Sequence, residues 1–127
     1  MIRNIFALAA CLGMTACTSI GSRVDEWSAV DTRRELAFQL INAIDAVQTS
    51  EIRHRAEVVE VGPVARAVMG PEPSASDVGL YFGTMAASHF LISRALPPGW
   101  RKYWQAGTIA SHGYTVVRNC TKFDLGC

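Results

Sequence analysis

The tripeptide Pro97-Pro98-Gly99 separates two runs without formal charge, the 16 residues Val78–Ser93 and the 15 residues Tyr103–Val117. Proline fixes its own φ and lacks the amide proton that a helix interior needs, so neither run continues through this point. Two apolar segments of helical length joined by such a break read as an antiparallel helical hairpin turning over Arg94–Lys102. Leu80, Phe82, Met85, Phe90, Leu91 and Ile92 spread around the first run, and a helix apolar on most sides is buried in protein or in lipid. Gly79, Gly83 and Ala87 form a ladder of small residues expected to admit a neighbouring helix. Ser74 and Asp77 supply a hydroxyl cap and a first-turn carboxylate, which places the start of this helix at Ser74 or Ser76. Trp100, Tyr103 and Trp104 stand beside Arg94, Arg101 and Lys102, the mixture found at a membrane–water boundary.

Upstream, Thr32 and Glu35 have capping-box spacing and predict a helix that starts at Asp31 or Thr32. Leu36, Leu40, Ala43, Ile44 and Val47 recur at three- and four-residue steps and form the expected packing face. Gln39, Asn42, Asp45 and Thr49 fall away from that face or at its edge. The 12 residues Leu36–Val47 are fewer than the roughly 20 that cross a bilayer. The segment therefore reads as an amphipathic helix lying on a membrane or against the hairpin. Charged Glu51–Glu60 extends it, with Val58–Val61 as a brief extended piece. Gly62-Pro63 breaks the chain, Val64–Met69 is a short helix or turn, and Gly70-Pro71-Glu72-Pro73 is a stiff linker.

The N-terminus has the form of a processing signal: Arg3, then the uncharged stretch Ile5–Met14, then Met14-Thr15-Ala16-Cys17, which resembles a bacterial lipobox. Cys17 is the expected attachment point for diacylglycerol and an N-acyl chain, and no other cofactor is expected. Leu8-Ala9-Ala10-Cys11 competes for that role but leaves an apolar stretch of only six residues. An uncleaved anchor or an ordinary signal peptide is the alternative. Thr18, where an inner-membrane lipoprotein often carries Asp, favours outer-membrane sorting. The expected layout is a signal over 1–16, a tether over 17–30, an all-α membrane-associated bundle over 31–119 and an irregular tail over 120–127. Within that bundle the helix covers 31–60, the linker 61–73 and the hairpin 74–119.

After cleavage the chain holds 11 basic and 11 acidic groups, with 6 basic and 10 acidic over residues 17–77 and 5 basic and 1 acidic over 78–127. No basic, aromatic-studded stripe is present, which removes support for nucleic-acid binding. The basic hairpin half suits anionic lipid headgroups instead. If the hairpin spans, Arg94, Arg101 and Lys102 belong on the cytoplasmic side, with Ser74 and Arg118 periplasmic. Cys120 and Cys127 form a small disulfide loop or remain as two thiols.

Few residues carry chemistry. Hairpin geometry puts His89 level with residues 108–111 and within about one turn of His112. With Asp45 or Glu60 these imidazoles can form a polar cluster that binds an ion or relays protons, or each can simply be a satisfied helix-contact histidine. His54 lies between Arg53 and Arg55 and reads as solvated. No nucleophile elbow, phosphate loop, dinucleotide fingerprint or zinc-protease motif occurs, so no enzyme is expected.

Asp45-Ala-Val-Gln48-Thr49, Glu60-Val-Gly-Pro63, Gly70-Pro-Glu-Pro73-Ser74, Tyr81-Phe82 and Leu96-Pro97-Pro98 with Trp100, Arg101 and Gln105 together resemble a group of small membrane-associated proteins. That group occurs in bacterial genomes and in phages or prophages of proteobacteria, and some members begin with a lipobox. The resemblance covers about residues 40 to 119. Gly62 stands where the group usually has Asn. The resemblance implies the helix–linker–hairpin architecture and a structural polar cluster of Asp45, Gln48, Thr49 and Glu60. The expected role is a non-enzymatic cell-envelope lipoprotein of bacterial or phage origin, anchored on the periplasmic side of the inner or outer membrane. Its partners would be the bilayer and an envelope membrane protein. The alternative is a small integral membrane protein that binds an ion or relays protons through Asp45, His89 and His112.

Overall fold

The structure is a computed structural model that describes residues 27–55 and 62–125. Among them are four α-helices and no strand: α1 (Ala29–Glu51), followed by a single 3₁₀ turn (Ile52–His54), α2 (Pro63–Met69), α3 (Ala75–Ala95) and α4 (Pro98–Phe123). The signal and tether over 1–26, the segment 56–61 with Glu60, and Cys127 lie outside the described residues.

α1 starts earlier than its expected cap. Ser28 is the N-cap: its hydroxyl accepts the Asp31 amide at 3.1 Å, and the Asp31 carboxylate accepts the Ser28 amide at 3.0 Å. Asp31 thus takes the position of the reciprocal acid in a capping box. Thr32 accepts the indole N–H of Trp27 at 2.9 Å instead of capping, and Glu35 is left to turn inward. The helix closes at Glu51, not at residue 60.

α3 starts where the sequence indicates, with Ser74 accepting the Asp77 amide at 3.2 Å and Asp77 accepting the Ser74 amide at 3.0 Å. These side-chain and backbone bonds from Ser74 hold the Asp77 carboxyl below its usual range. Gly70, at φ 84 and ψ 179, turns the chain out of α2 in a conformation that side chains rarely tolerate. The hairpin turn is tighter than expected, since only Leu96 and Pro97 lie outside helix. Pro98 opens α4, where its missing N–H costs nothing. α4 continues to Phe123, so Cys120 is helical and not part of an irregular tail.

The hairpin is not the centre of the molecule. α1 packs against both α3 and α4, while those two touch each other far less. Gln39 donates to the Ala86 carbonyl at 3.1 Å and Asn42 to the Phe82 carbonyl at 3.1 Å, so α3 runs antiparallel to α1. Gln105 donates to the Asp31 carbonyl at 3.2 Å and Gln48 to the Val116 carbonyl at 3.3 Å, so α4 runs parallel to it.

The expected packing face of α1 points the other way. Leu36 is 64% exposed, Leu40 63% and Val47 59%, with Ile44 also outward. The buried positions are Asp31, Glu35, Phe38, Asn42, Asp45, Gln48 and Thr49. The small-residue ladder is turned outward too: Gly79, Gly83 and Ala87 are exposed, and a Cβ at either glycine would meet no atom within 4 Å. Among the described residues ten buried side chains are polar or charged and six are apolar, so the interior is polar and the apolar groups lie largely outside. Apolar packing survives in two small clusters, Met69 with Val78 and Phe82, and Ile52 with Leu125. No helix of the described residues is long and apolar enough to cross a membrane.

Candidate polar site inside the bundle

The interior polar groups follow one rule of spacing. On α1 they fall at Asp31, Glu35, Asn42, Asp45 and Thr49, with Phe38 completing the three- and four-residue steps. On α4 the corresponding stripe is Arg101, Gln105, Thr108, His112 and Asn119, and α3 contributes His89 and Ser93. Parallel stripes on neighbouring helices meet level by level.

At the turn end Arg101 is fully buried. Its guanidinium donates to the Ser93 carbonyl at 2.8 Å, the Leu96 carbonyl at 3.0 Å and the Asp31 carboxylate at 3.1 Å. Burial works to raise the Asp31 carboxyl. The hydrogen bonds from Ser28 and Arg101, together with the Arg101 charge, outweigh it and hold the group below its ordinary value. Arg101 thereby fastens the start of α1 to the hairpin turn.

One turn further in, His89 Nδ1 lies 3.0 Å from both oxygens of Glu35, and Nε2 lies 2.8 Å from the Thr108 hydroxyl. Gln39 donates to Glu35 at 2.8 Å. Phe38 stacks on the imidazole with 3.5 Å between ring centroids, and the Trp104 ring lies 5.5 Å from it. In the neutral form the Nδ1 proton goes to Glu35 and Nε2 accepts from Thr108. In the charged form Nε2 donates, and the Thr108 hydroxyl turns to the Trp104 carbonyl 2.8 Å away. The order carboxylate–imidazole–hydroxyl is that of a hydrolase triad. None of the three residues lines the cavity at the other end of the bundle, and Thr108 is tied back into its own helix. Phe38 and Trp104 pack on the imidazole between these groups.

On the far side of Phe38 lies His112, edge-on to that ring at 5.2 Å. Its Nδ1 faces Asp45 Oδ2 at 3.7 Å, beyond hydrogen-bond reach, and has no hydrogen-bond partner among the described residues although fully enclosed. Asp45 is 7% exposed and accepts one long bond, from Asn119 at 3.3 Å. Asn119 also donates to Gln48 at 3.2 Å. A cavity of about 320 Å³ opens beside this pair, bounded by α1, α2, α3 and α4.

The expected cluster of Asp45, Glu60, His89 and His112 is therefore divided. His89 belongs to Glu35, His112 faces Asp45, and Glu60 lies outside the described residues, as do Cys11 and Cys17. Among the described residues no three His, Cys, Asp or Glu groups are placed to hold a metal ion. Cys120 is disulfide-bonded, and the other three cysteines lie outside the described residues. His54 is exposed. Asp31, Glu35, Arg101, Gln105, Thr108 and Asn119 were not foreseen as interior groups. Their own three- and four-residue spacing is the signal that marks them. No family model, curated protein or solved structure matches the chain.

Proposed function

We propose that the chain is a non-enzymatic cell-envelope lipoprotein of bacterial or phage origin, acylated at Cys17, whose bundle sits in the lipid as one unit around its polar interior. The observation that carries this reading is the outer surface. From Leu36 to Ser50 on α1, Val78 to Ser93 on α3 and Tyr103 to Val117 on α4, no charged side chain is exposed. At 1.5 Å per residue this is a girdle roughly 22–24 Å tall. Charges collect beyond it, with Arg33, Arg34, Arg94 and Lys102 at the turn end and Glu51, Asp77, Arg118, Lys122 and Asp124 at the other. Trp100 and Tyr103 flank the basic end.

In water, Leu36, Leu40, Phe90 and Leu91 would gain by exchanging places with Glu35 and Asp45; in lipid the observed arrangement is the favourable one. Each helix taken alone is too polar to cross because its polar groups are averaged in, yet those groups face the other helices and would not meet acyl chains. A girdle shorter than the ~30 Å hydrocarbon layer is accommodated by local thinning. Arg94 lies over the Trp27 ring at 4.1 Å, so the chain leaves toward Cys17 from the turn end. The reading therefore sets the basic end at the anchored face, against anionic headgroups, and replaces the cytoplasmic placement expected of a spanning hairpin.

A photoreactive benzoylphenylalanine at Leu40 or Leu91 of the full chain tests this in native membranes. Cross-links to phospholipid from both sites, with none from Lys122, are expected. Cross-links from Leu40 and Leu91 to protein alone would replace the bilayer by an envelope protein partner. The alternative ion-binding role narrows to Asp45 and His112, because Glu35 and Thr108 already occupy His89.

A further inference from the structure

We infer that the cavity beside Asp45 and His112 is a binding site for a small organic cation, one primary ammonium group on an apolar body. The inference deepens and rests on the ion-binding alternative, and its test is separate from that of the lipid-facing girdle because it reads the cavity and not the outer surface.

The volume, about 320 Å³, lies at the lower end of the range for small-molecule pockets, about 300–1,000 Å³. Two atoms in it are poorly served by the protein. Among the described residues Asp45 is buried with His112 Nδ1 3.7 Å away as its nearest ionisable nitrogen, and that nitrogen is enclosed without a hydrogen-bond partner. A buried carboxylate left this way is costly, and a cation is the group that relieves it. The 3.7 Å between Asp45 and His112 is too long for a bond between them. An ammonium beside them donates to Asp45, with the Ser111 and Thr115 hydroxyls on the same wall for its other N–H groups. Among the described residues no third His, Cys, Asp or Glu joins the pair.

The rest of the lining selects the body of the ligand. Phe82 and Phe123 supply apolar and aromatic surface suited to an alkyl or aryl chain. Arg118 also lines the cavity, its guanidinium 5.6 Å over the Phe123 ring. That positive charge selects against a second amine, so a monoamine fits better than a diamine.

The test uses the full chain in detergent micelles, with isotope-labelled histidine followed by NMR. Phenethylamine should move the His112 ring resonances saturably, while the neutral analogue 2-phenylethanol and the diamine putrescine should not at equal concentration. Asp45→Asn should weaken phenethylamine binding at least tenfold, with its helical circular dichroism unchanged. Equal shifts from the amine and the alcohol, no shift from phenethylamine, or undiminished binding by a folded Asp45→Asn chain would each overturn the site. The wild-type amine–alcohol comparison decides the matter even if Asp45→Asn does not fold.

Discussion

Glu35–His89 and Asp45–His112 are the same chemical pair placed on either side of one phenyl ring, Phe38. The first is closed: 3.0 Å between the partners, Gln39 donating to the Glu35 oxygen that also meets His89, Thr108 on Nε2 and aromatic rings on the faces of the imidazole, with the second Glu35 oxygen lacking a hydrogen bond among the described residues. The second is open: 3.7 Å between the partners, one long bond from Asn119, and a cavity alongside. What differs is the surroundings, not the residues. Near Glu35 the helices are pinned by Arg101 and filled by Trp104. Near Asp45, among the described residues, short α2 lies over the gap. A polar interior group thus becomes structural or available for binding according to how completely its neighbours satisfy it.

Removing the pin should break the contrast most severely. Arg101→Met takes from Asp31 its 3.1 Å cation, leaving Arg34 at 3.8 Å, and strips the Ser93 and Leu96 carbonyls of a buried donor; it should cost about 3–5 kcal/mol, read from denaturant or thermal unfolding in detergent. A change below about 1 kcal/mol would mean that the ion pair does not organise the turn end. Next in size is a matched pair of truncations. Glu35→Ala strands His89 and Gln39 and should destabilise by about 1–3 kcal/mol. Asp45→Ala removes one weak bond and relieves a buried charge, so its cost should stay below about 1 kcal/mol. Equal costs would erase the distinction between closed and open pairs.

Local chemistry was legible in the sequence. Ser74 and Asp77 cap α3 because a hydroxyl and a carboxylate three residues apart satisfy free amides wherever the helix later packs. Proline at 97 and 98 stops one helix and opens the next for reasons internal to the backbone. The level of His89 against α4 followed from rise per residue alone. The inward face of α1 was not legible. Leu36, Leu40, Ile44 and Val47 mark a stripe, but Glu35, Phe38, Asn42, Asp45 and Thr49 mark an equally regular one. Periodicity supplies two faces; which one turns inward depends on the surrounding medium and on whether Arg101, His89 and Asn119 arrive from elsewhere to meet it. The cavity was less legible still, because it arises from a bond that His112 and Asp45 do not make.

The central position of α1 also sets the order in which the molecule can form. α3 and α4 are joined by two residues, yet each leans on α1 more than on the other. The short connection is not a self-sufficient nucleus: zipping the hairpin makes the Arg101–Ser93 and His89–Thr108 bonds but leaves Arg101 without Asp31 and His89 without Glu35. The Asp31–Arg101 and Asp31–Gln105 links close across 70 and 74 positions of chain. Such distant closures slow folding and tie all three long helices into one cooperative transition. During synthesis α1 emerges first and must hold its carboxylates solvated until the last helix appears.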